Sequence, residues 1–481
     1  MFRAKYLWLL IALVLAIGLR IVVLAGDRYE LPVNGSMQRE GAAYALYKGW
    51  GFKNFTIPQY RNSGHLVDPI DYLRWKGAAD PDTPPSNMAD LSIRPGPSYI
   101  LSLTYEFFGL RYIYYQTAQM LITVLDVALV FFIGYVFFQS LLAAVIASLL
   151  CAGCLYEMEL ARAIAREVAF KGAVVHVLAG LALLVWLSRK YGYKLVLGAG
   201  QNPIPWQAVV AVGAYIGAII GVTEYFRGVL VPVLGISVFG SLLLLPLRKA
   251  MACMLAVIVV AGAVMYPGMQ RGKEIFGTWS IGQDARYLAA WGGLGYGANA
   301  VGMNATDTVS LSSAALRLRL SGKEPPSYYD GGTYAYDQVA KEAFVQYIEE
   351  NPYSYLKLYI SNLWENLTNV TEWAYYDLRS AIVPRFSVVE LLLGSNGTAV
   401  LIHLWIMVHK VVPFLGLAGL VWAAIRLPYA SVLLFPAIFI VLGVSVVASH
   451  HIKYIMPVLI MYYLGIGFLF SRIYELFKAR N

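Results

Sequence analysis

Apolar residues fill long, nearly uninterrupted stretches of this chain, and polar residues gather in a few short clusters and two long segments. A helix needs about 20 apolar residues to cross the hydrocarbon core of a bilayer. Ten runs approach or reach that length: residues 6–24, 112–138, 140–157, 168–188, 206–222, 229–247, 251–267, 402–424, 430–448 and 454–471. The polar-rich segments, 25–111 and 268–401, are not low in complexity and carry amphipathic patterns of their own. In "SMQREGAAYALYKGWGF", Ser36 is placed to cap a helix with Ala43, Leu46, Tyr47 and Trp50 on one face. "RPGPSYILSLTYEFFG", Arg94 to Gly109, predicts a helix opened by Pro97 and too short to span. "YDQVAKEAFVQYIEENPYSYLKLYISNLWENL" predicts two helices broken at Asn351-Pro352.

The pattern predicts an all-α polytopic membrane protein with about 10 transmembrane helices, short helices at the membrane surface and no separate soluble domain. Residues 1–267 form an N-terminal module that includes the first outer loop, 25–111. Residues 268–401 form an outer loop region with helices, and 402–481 supply the C-terminal spans. The first run follows Arg3 and Lys5, as in a signal peptide, but its core is longer and no small-residue cleavage site follows at once. It reads as a retained anchor, with Arg20 near its outer end snorkelling to the interface.

Composition agrees. The chain has 481 residues, 59% hydrophobic and 14% charged, with mean hydropathy +0.60, whereas a soluble domain is about 25% charged. The net charge of +9 would suit nucleic acid, but its placement points elsewhere. Ten spans put both ends of the chain on one side. That side collects Arg3, Lys5, Arg189, Lys190, Lys194, Arg248, Lys249, Arg426, Arg472, Lys478 and Arg480 against the single acid Glu475. This is the positive-inside pattern, so that side faces the cytoplasm and the two long segments lie outside. Six N-x-S/T sequons, at Asn34, Asn54, Asn304, Asn366, Asn369 and Asn396, all fall outside. Cys151 and Cys154 form a C-x-x-C with no second half-site and lie in an apolar run, which reads as core packing. Asp126 and His176 lie within spans, where a proton relay and a hydrogen-bonded interhelical contact are both open readings.

Several weak motifs, in order along most of the chain, resemble the GT-C fold glycosyltransferases, in particular glycosyltransferase family 39, the protein mannosyltransferases, and the aminoarabinose and arabinosyltransferases. They are "ALYKGWGF" at Ala45–Phe52, "RPGPSYILSLTYEFFG" with Gly96-Pro97 where relatives have Pro-Pro, and "QMLITVLDVALVFFIGYVFF". "LYEMELARAIAREVAF" carries Glu167, "GVTEYFRGVLVPVL" has Gly228 in place of a proline, and "YPGMQRGKEIFG", "ENPYSYLKLYISNLW" and "HHIKYIMPVLIMYYLGIGF" follow. The resemblance implies transfer of a sugar from a polyprenyl-phosphate donor to a glycan, lipid or protein acceptor, with inversion. It implies a site facing the periplasm of a bacterial inner membrane, walled by the short helix after Arg94. Many relatives open the first loop helix with an Asp, a place that falls here near Met37 and Gln38; Glu40 is the nearest acid.

That chemistry needs a carboxylate to take the acceptor proton and cations to stabilise the departing lipid phosphate. Glu40 ranks first as base, then Asp27, then Glu30. Arg94, Arg166, Arg227, Arg271, Lys453 and His451, with His450 beside it, are the candidate phosphate partners at outer membrane edges, and Glu167 and Glu224 could orient them. Each of these cations alone also reads as an interfacial anchor. No cofactor other than the lipid-linked donor is implied; no ligand-spaced metal cluster appears in the sequence, although a divalent metal stays open. Two other functions remain. A transporter or flippase of lipid-linked sugars would show repeat symmetry and broken helices around deep polar residues, and the sequence pattern shows neither. A non-catalytic membrane assembly protein is the third reading.

Overall fold

Inside a bilayer the backbone has no water to bond, so each apolar run must satisfy its own N–H and C=O groups, as a helix does. The computed structural model describes residues 2–25, 37–53, 94–109, 112–162, 167–190, 204–228, 230–282, 287, 290–291, 294, 314, 317, 319–323, 333–368, 387–446 and 452–480. All ten apolar runs are helical in it. They are α1 (Phe2–Ala25), α4 (Tyr112–Phe138), α5 (Leu141–Ala152), α7 (Glu167–Lys190), α8 (Trp206–Glu224), α9 (Leu230–Leu244), α10 (Leu247–Phe276), α13 (Ser387–Arg426), α14 (Ser431–Val446) and α15 (Ile452–Arg480). Outside them lie α2 (Met37–Tyr47), α3 (Gly96–Phe108), α6 (Leu155–Arg162), α11 (Thr333–Glu350) and α12 (Pro352–Thr368). No β-strand occurs among the described residues. Eight of the helices are long and apolar enough to cross a membrane, and α5 and α9 are shorter apolar helices. The protein is an all-α, multi-pass membrane protein.

Three expectations are corrected. The run 140–157 is not one helix: α5 stops at Ala152, and α6 begins at Leu155 after Gly153-Cys154. A broken helix is therefore present, contrary to the sequence pattern. Arg20 does not snorkel; its side chain is 2% exposed and turned into the bundle. The buried part of α2 is broader than expected, with Ala42, Ala43, Tyr44 and Ala45 all enclosed, while Tyr47 is exposed.

α10 continues past Pro267 to Phe276, although a proline removes an N–H and crowds the preceding turn. The Tyr225 hydroxyl repairs the ladder. It donates to the Val264 carbonyl at 3.0 Å and accepts from the Gly268 amide at 3.0 Å, standing in for the direct bond between those two residues. A Cβ on Gly268 would lie 2.8 Å from the Tyr225 ring, so glycine permits the insertion.

α8 and α10 cross closely along Gly213, Gly217 and Gly221, a small residue every fourth position. Cβ atoms there would approach the Cys253 and Val257 carbonyls and Val264 to 2.5, 2.5 and 2.7 Å. Such stripes let membrane helices pack by van der Waals contact where lipid removes the hydrophobic drive. Gly416 and Gly419 of α13 do the same against Tyr462 and Gly465 of α15. Most of the bundle shares one buried core, from Ala12 to Phe468. A second, smaller core around Trp291, Leu294, Ala340, Phe344 and Leu358 belongs to the segment 268–401, where α11 and α12 meet at Pro352 as expected. Asn366 of α12 donates to Ser445 of α14 at 3.1 Å, which ties α12 to the main helix bundle.

Candidate functional site

Four pieces of chain meet where α3 begins: the Arg94-Pro95 lead, the turn 225–228 between α8 and α9, the last turn of α10 with residues 277–282, and the end of the α2 segment. Pro95 and Pro97 suit a helix start, where backbone N–H groups have no intrahelical partner. Gly96 explains its own departure from Pro-Pro. Its N–H donates to the Tyr225 carbonyl at 2.9 Å, a bond proline could not make. A Cβ on it would meet the Phe226 ring and the Tyr225 carbonyl at 2.8 Å.

Arg94 is buried here, 4% exposed, and its guanidinium lies 2.9 Å from Glu224 Oε1. It also donates to the Glu224 main-chain carbonyl. The other carboxylate oxygen, Glu224 Oε2, accepts from the Leu230 amide at 2.9 Å, one of the orphan donors opening α9. Glu224 therefore clamps two helix starts at once. Residues 277–282 fold over Arg94, and a Cβ on Gly282 would sit 2.9 Å from the arginine's Cγ.

Arg227, three residues beyond Glu224, is half-buried with its guanidinium 5.7 Å from the Phe170 ring of α7. Arg271 on α10 lies 5.0 Å from the Phe52 ring and donates to the Phe52 carbonyl at 3.4 Å. Phe52 stacks on Tyr99 of α3, centroids 6.3 Å apart. α2 packs against α3, and the Ser98 hydroxyl donates to the Arg39 carbonyl at 2.8 Å. Glu40 follows Arg39 on α2, so its backbone stands beside the first turn of α3.

Of the expected residues, the structure thus draws Arg94, Glu224, Arg227 and Arg271 onto elements that meet at the start of α3. Glu40, Glu167 and Lys453 are placed by backbone only, on α2 and on the first turns of α7 and α15. Asp27, Glu30, Arg166, His450 and His451 lie outside the described residues. No group of three His, Cys, Asp or Glu that could hold a metal occurs among the described residues. Cys151 and Cys154 are buried free thiols.

Sequence reasoning missed a cluster of charges deeper in the bundle. Asp126 of α4 lies 3.2 Å from Lys171 of α7, which also contacts Glu157 of α6, and Arg20 of α1 faces Glu157 from 3.9 Å. The signal was present: two acids and two bases stand in or beside apolar runs. Lys171 and Glu157 stand near run ends, and only folding shows them converging with Asp126 and Arg20. His176, the other deep polar residue, is hydrogen-bonded through Nδ1 to the Tyr215 hydroxyl at 2.6 Å.

No family model matches the sequence, and no curated protein matches it. Among solved structures the chain is similar to the oligosaccharyltransferase of Archaeoglobus fulgidus. The apo form aligns over 99% of this chain and 51% of that chain, at 13% identity and a TM-score of 0.47. The same enzyme in complex with an inhibitory peptide and a dolichol-phosphate aligns over 99% and 51%, at 13% identity and a TM-score of 0.43. Its complex with Zn and sulfate aligns over 98% and 50%, at 14% identity and a TM-score of 0.42. The chain spans about half the length of these structures.

Proposed function

We propose that this protein is a GT-C glycosyltransferase that moves a sugar from a polyprenyl-phosphate donor to a glycan, lipid or protein acceptor outside the cytoplasmic membrane, with inversion. The observation that carries the reading is the arginine-rich junction at the start of α3. A polyprenyl donor keeps its tail in the bilayer, so its phosphate must be met at a membrane edge. The junction offers Arg227 and Arg271 beside the start of α3, both guanidiniums laid against aromatic rings.

The buried pairing of Arg94 with Glu224 refines its role. Arg94 holds α3 against the α8–α9 turn, its charge balanced by Glu224. Arg227 and Arg271 take the phosphate oxygens, with Arg166, Lys453 and His451 as further partners and Glu167 orienting them. Glu40, on the helix that packs against α3, takes the acceptor proton; Asp27 and Glu30 are next in rank. The leaving phosphate gains charge as the glycosidic bond breaks, so fixed cations there favour the transition state over the ground state.

One observation favours a second reading. The α5–α6 break beside buried charges is a feature expected of a transporter of lipid-linked sugars. Proteoliposomes separate the two. Purified protein is given a panel of polyprenyl-phosphate sugars; retained donor is identified by mass spectrometry, and sugar transfer and transbilayer movement are both followed. The transferase reading expects one donor retained and its sugar transferred. Movement of the intact donor without transfer would establish the transporter.

A further inference from the structure

The break in the third span lies inside the bundle, where freed carbonyls must be taken by side chains. Arg20 Nη1 of α1 donates to the Ala152 carbonyl at 3.3 Å, and Trp405 Nε1 of α13 donates to the Gly153 carbonyl at 3.2 Å. Beside the break stand the four charges, each on a different helix. Lys171 is shared between Asp126 and Glu157, and Arg20 reaches Glu157 while its Nε donates to Thr123 at 2.6 Å. None of these four side chains is more than 2% exposed.

Two cations and two carboxylates cancel, so the set can be buried where a lone charge could not. Yet apolar residues of similar volume would join the helices at least as well, because desolvation consumes most of what buried ion pairs gain. Adhesion alone is therefore a weak reason for four charges here. Their arrangement is asymmetric: Arg20 grips the end of α5, whereas Lys171 and Arg20 grip α6, and the chain between the two is Gly153-Cys154. We propose that Arg20, Asp126, Glu157 and Lys171 form a charge latch over a hinge at Gly153-Cys154. The latch holds α6 against α7, and α6 swings as a unit when the neutral set is broken. Lys171 stands one turn into α7, which begins at Glu167, so the latch also ties α6 to the start of that helix. It does not depend on the function proposed above.

The protein carries its own reporters. Cys151 Sγ lies 3.9 Å from Lys171 Nζ, and Cys154 is the residue before α6. Cys253 is buried in a different place, on α10 against Gly213 of α8 and Ser241 of α9. The purified protein is treated with N-ethylmaleimide, and each cysteine is read by mass spectrometry. The wild type labels slowly at all three. Lys171→Met leaves an excess buried carboxylate charge and should raise labelling of Cys151 and Cys154 by about 100-fold or more while Cys253 keeps its wild-type rate. Asp126→Asn added to Lys171→Met restores neutrality and should return both thiols to within about tenfold of wild type. If Lys171→Met does not accumulate, Asp126→Asn alone is read by the same site pattern. An equal rise at all three cysteines, no rise at Cys151 and Cys154, or a double variant labelling as fast as the single one would overturn the latch.

Discussion

At the scale of single residues, arginines that look alike in the sequence separate into two kinds. Arg94 is buried against Glu224, whereas Arg227 and Arg271 lie half-buried on aromatic rings. Removing one partner of a buried pair strands the other, at a cost of about 3–5 kcal/mol. Arg94→Ala should therefore lower the melting temperature sharply, and Arg94→Met with Glu224→Gln should recover most of the loss. Arg271→Ala should leave the melting temperature near wild type and weaken donor binding. Arg→Lys at 227 or 271 should rescue binding only in part, because the planar fork is lost. Melting temperature and donor affinity measured on the same variants test this division; unchanged affinity in both the Arg227→Ala and Arg271→Ala variants would refute it. Tyr225→Phe makes a separate case. It leaves the Val264 carbonyl and the Gly268 amide without the bridging hydroxyl, which should cost about 1–3 kcal/mol. A thermal-shift assay in detergent reads that loss, and an unchanged midpoint would mean the hydroxyl is not what carries α10 past Pro267.

At the scale of helices, α8 and α10 depend on the stripe Gly213, Gly217, Gly221. Gly217→Leu would push a side chain into the Val257 backbone, where a Cβ already comes within 2.5 Å. It should lower the melting temperature by several degrees, whereas Gly262→Leu, with nothing near its Cβ, should change little. Local punctuation makes some elements legible in the sequence. Pro97 and Gly109 bracket α3, and Asn351-Pro352 divides α11 from α12, because these residues act through their own backbone. The break after α5 is not legible there. Leu149 to Leu155 is apolar with one glycine and no proline, and the partners that satisfy its carbonyls, Arg20 and Trp405, come from more than 100 residues away on either side. Pro267 misleads in the opposite direction, since the hydroxyl that repairs α10 comes from the turn after α8. The site shows the same divide. Its arginines can be named as residue types at membrane edges, but Arg94's partner cannot, because the pairing is made by tertiary contact.

For the whole molecule, side and depth follow from charge. Eleven Lys and Arg against one acid predict that 25–111 and 268–401 lie outside. A cysteine introduced at Ser63 or Ser327 should react with an impermeant reagent from outside, and one at Lys190 should not. Labelling at Lys190 would invert the topology and remove the junction at α3 from the donor's side. With that orientation the account rests on one claim: that the arginine junction and the acid of α2 together transfer a sugar from a lipid phosphate. The most direct measurement is transfer by Glu40→Gln beside wild type, with the donor retained by the wild type and with donor binding followed in parallel. The account predicts bound donor in both and a loss of about 10²–10⁴-fold in transfer rate for Glu40→Gln. Wild-type turnover by Glu40→Gln would move the base to Asp27 or Glu30; failure of the wild type to transfer any bound polyprenyl-phosphate sugar would contradict the claim itself.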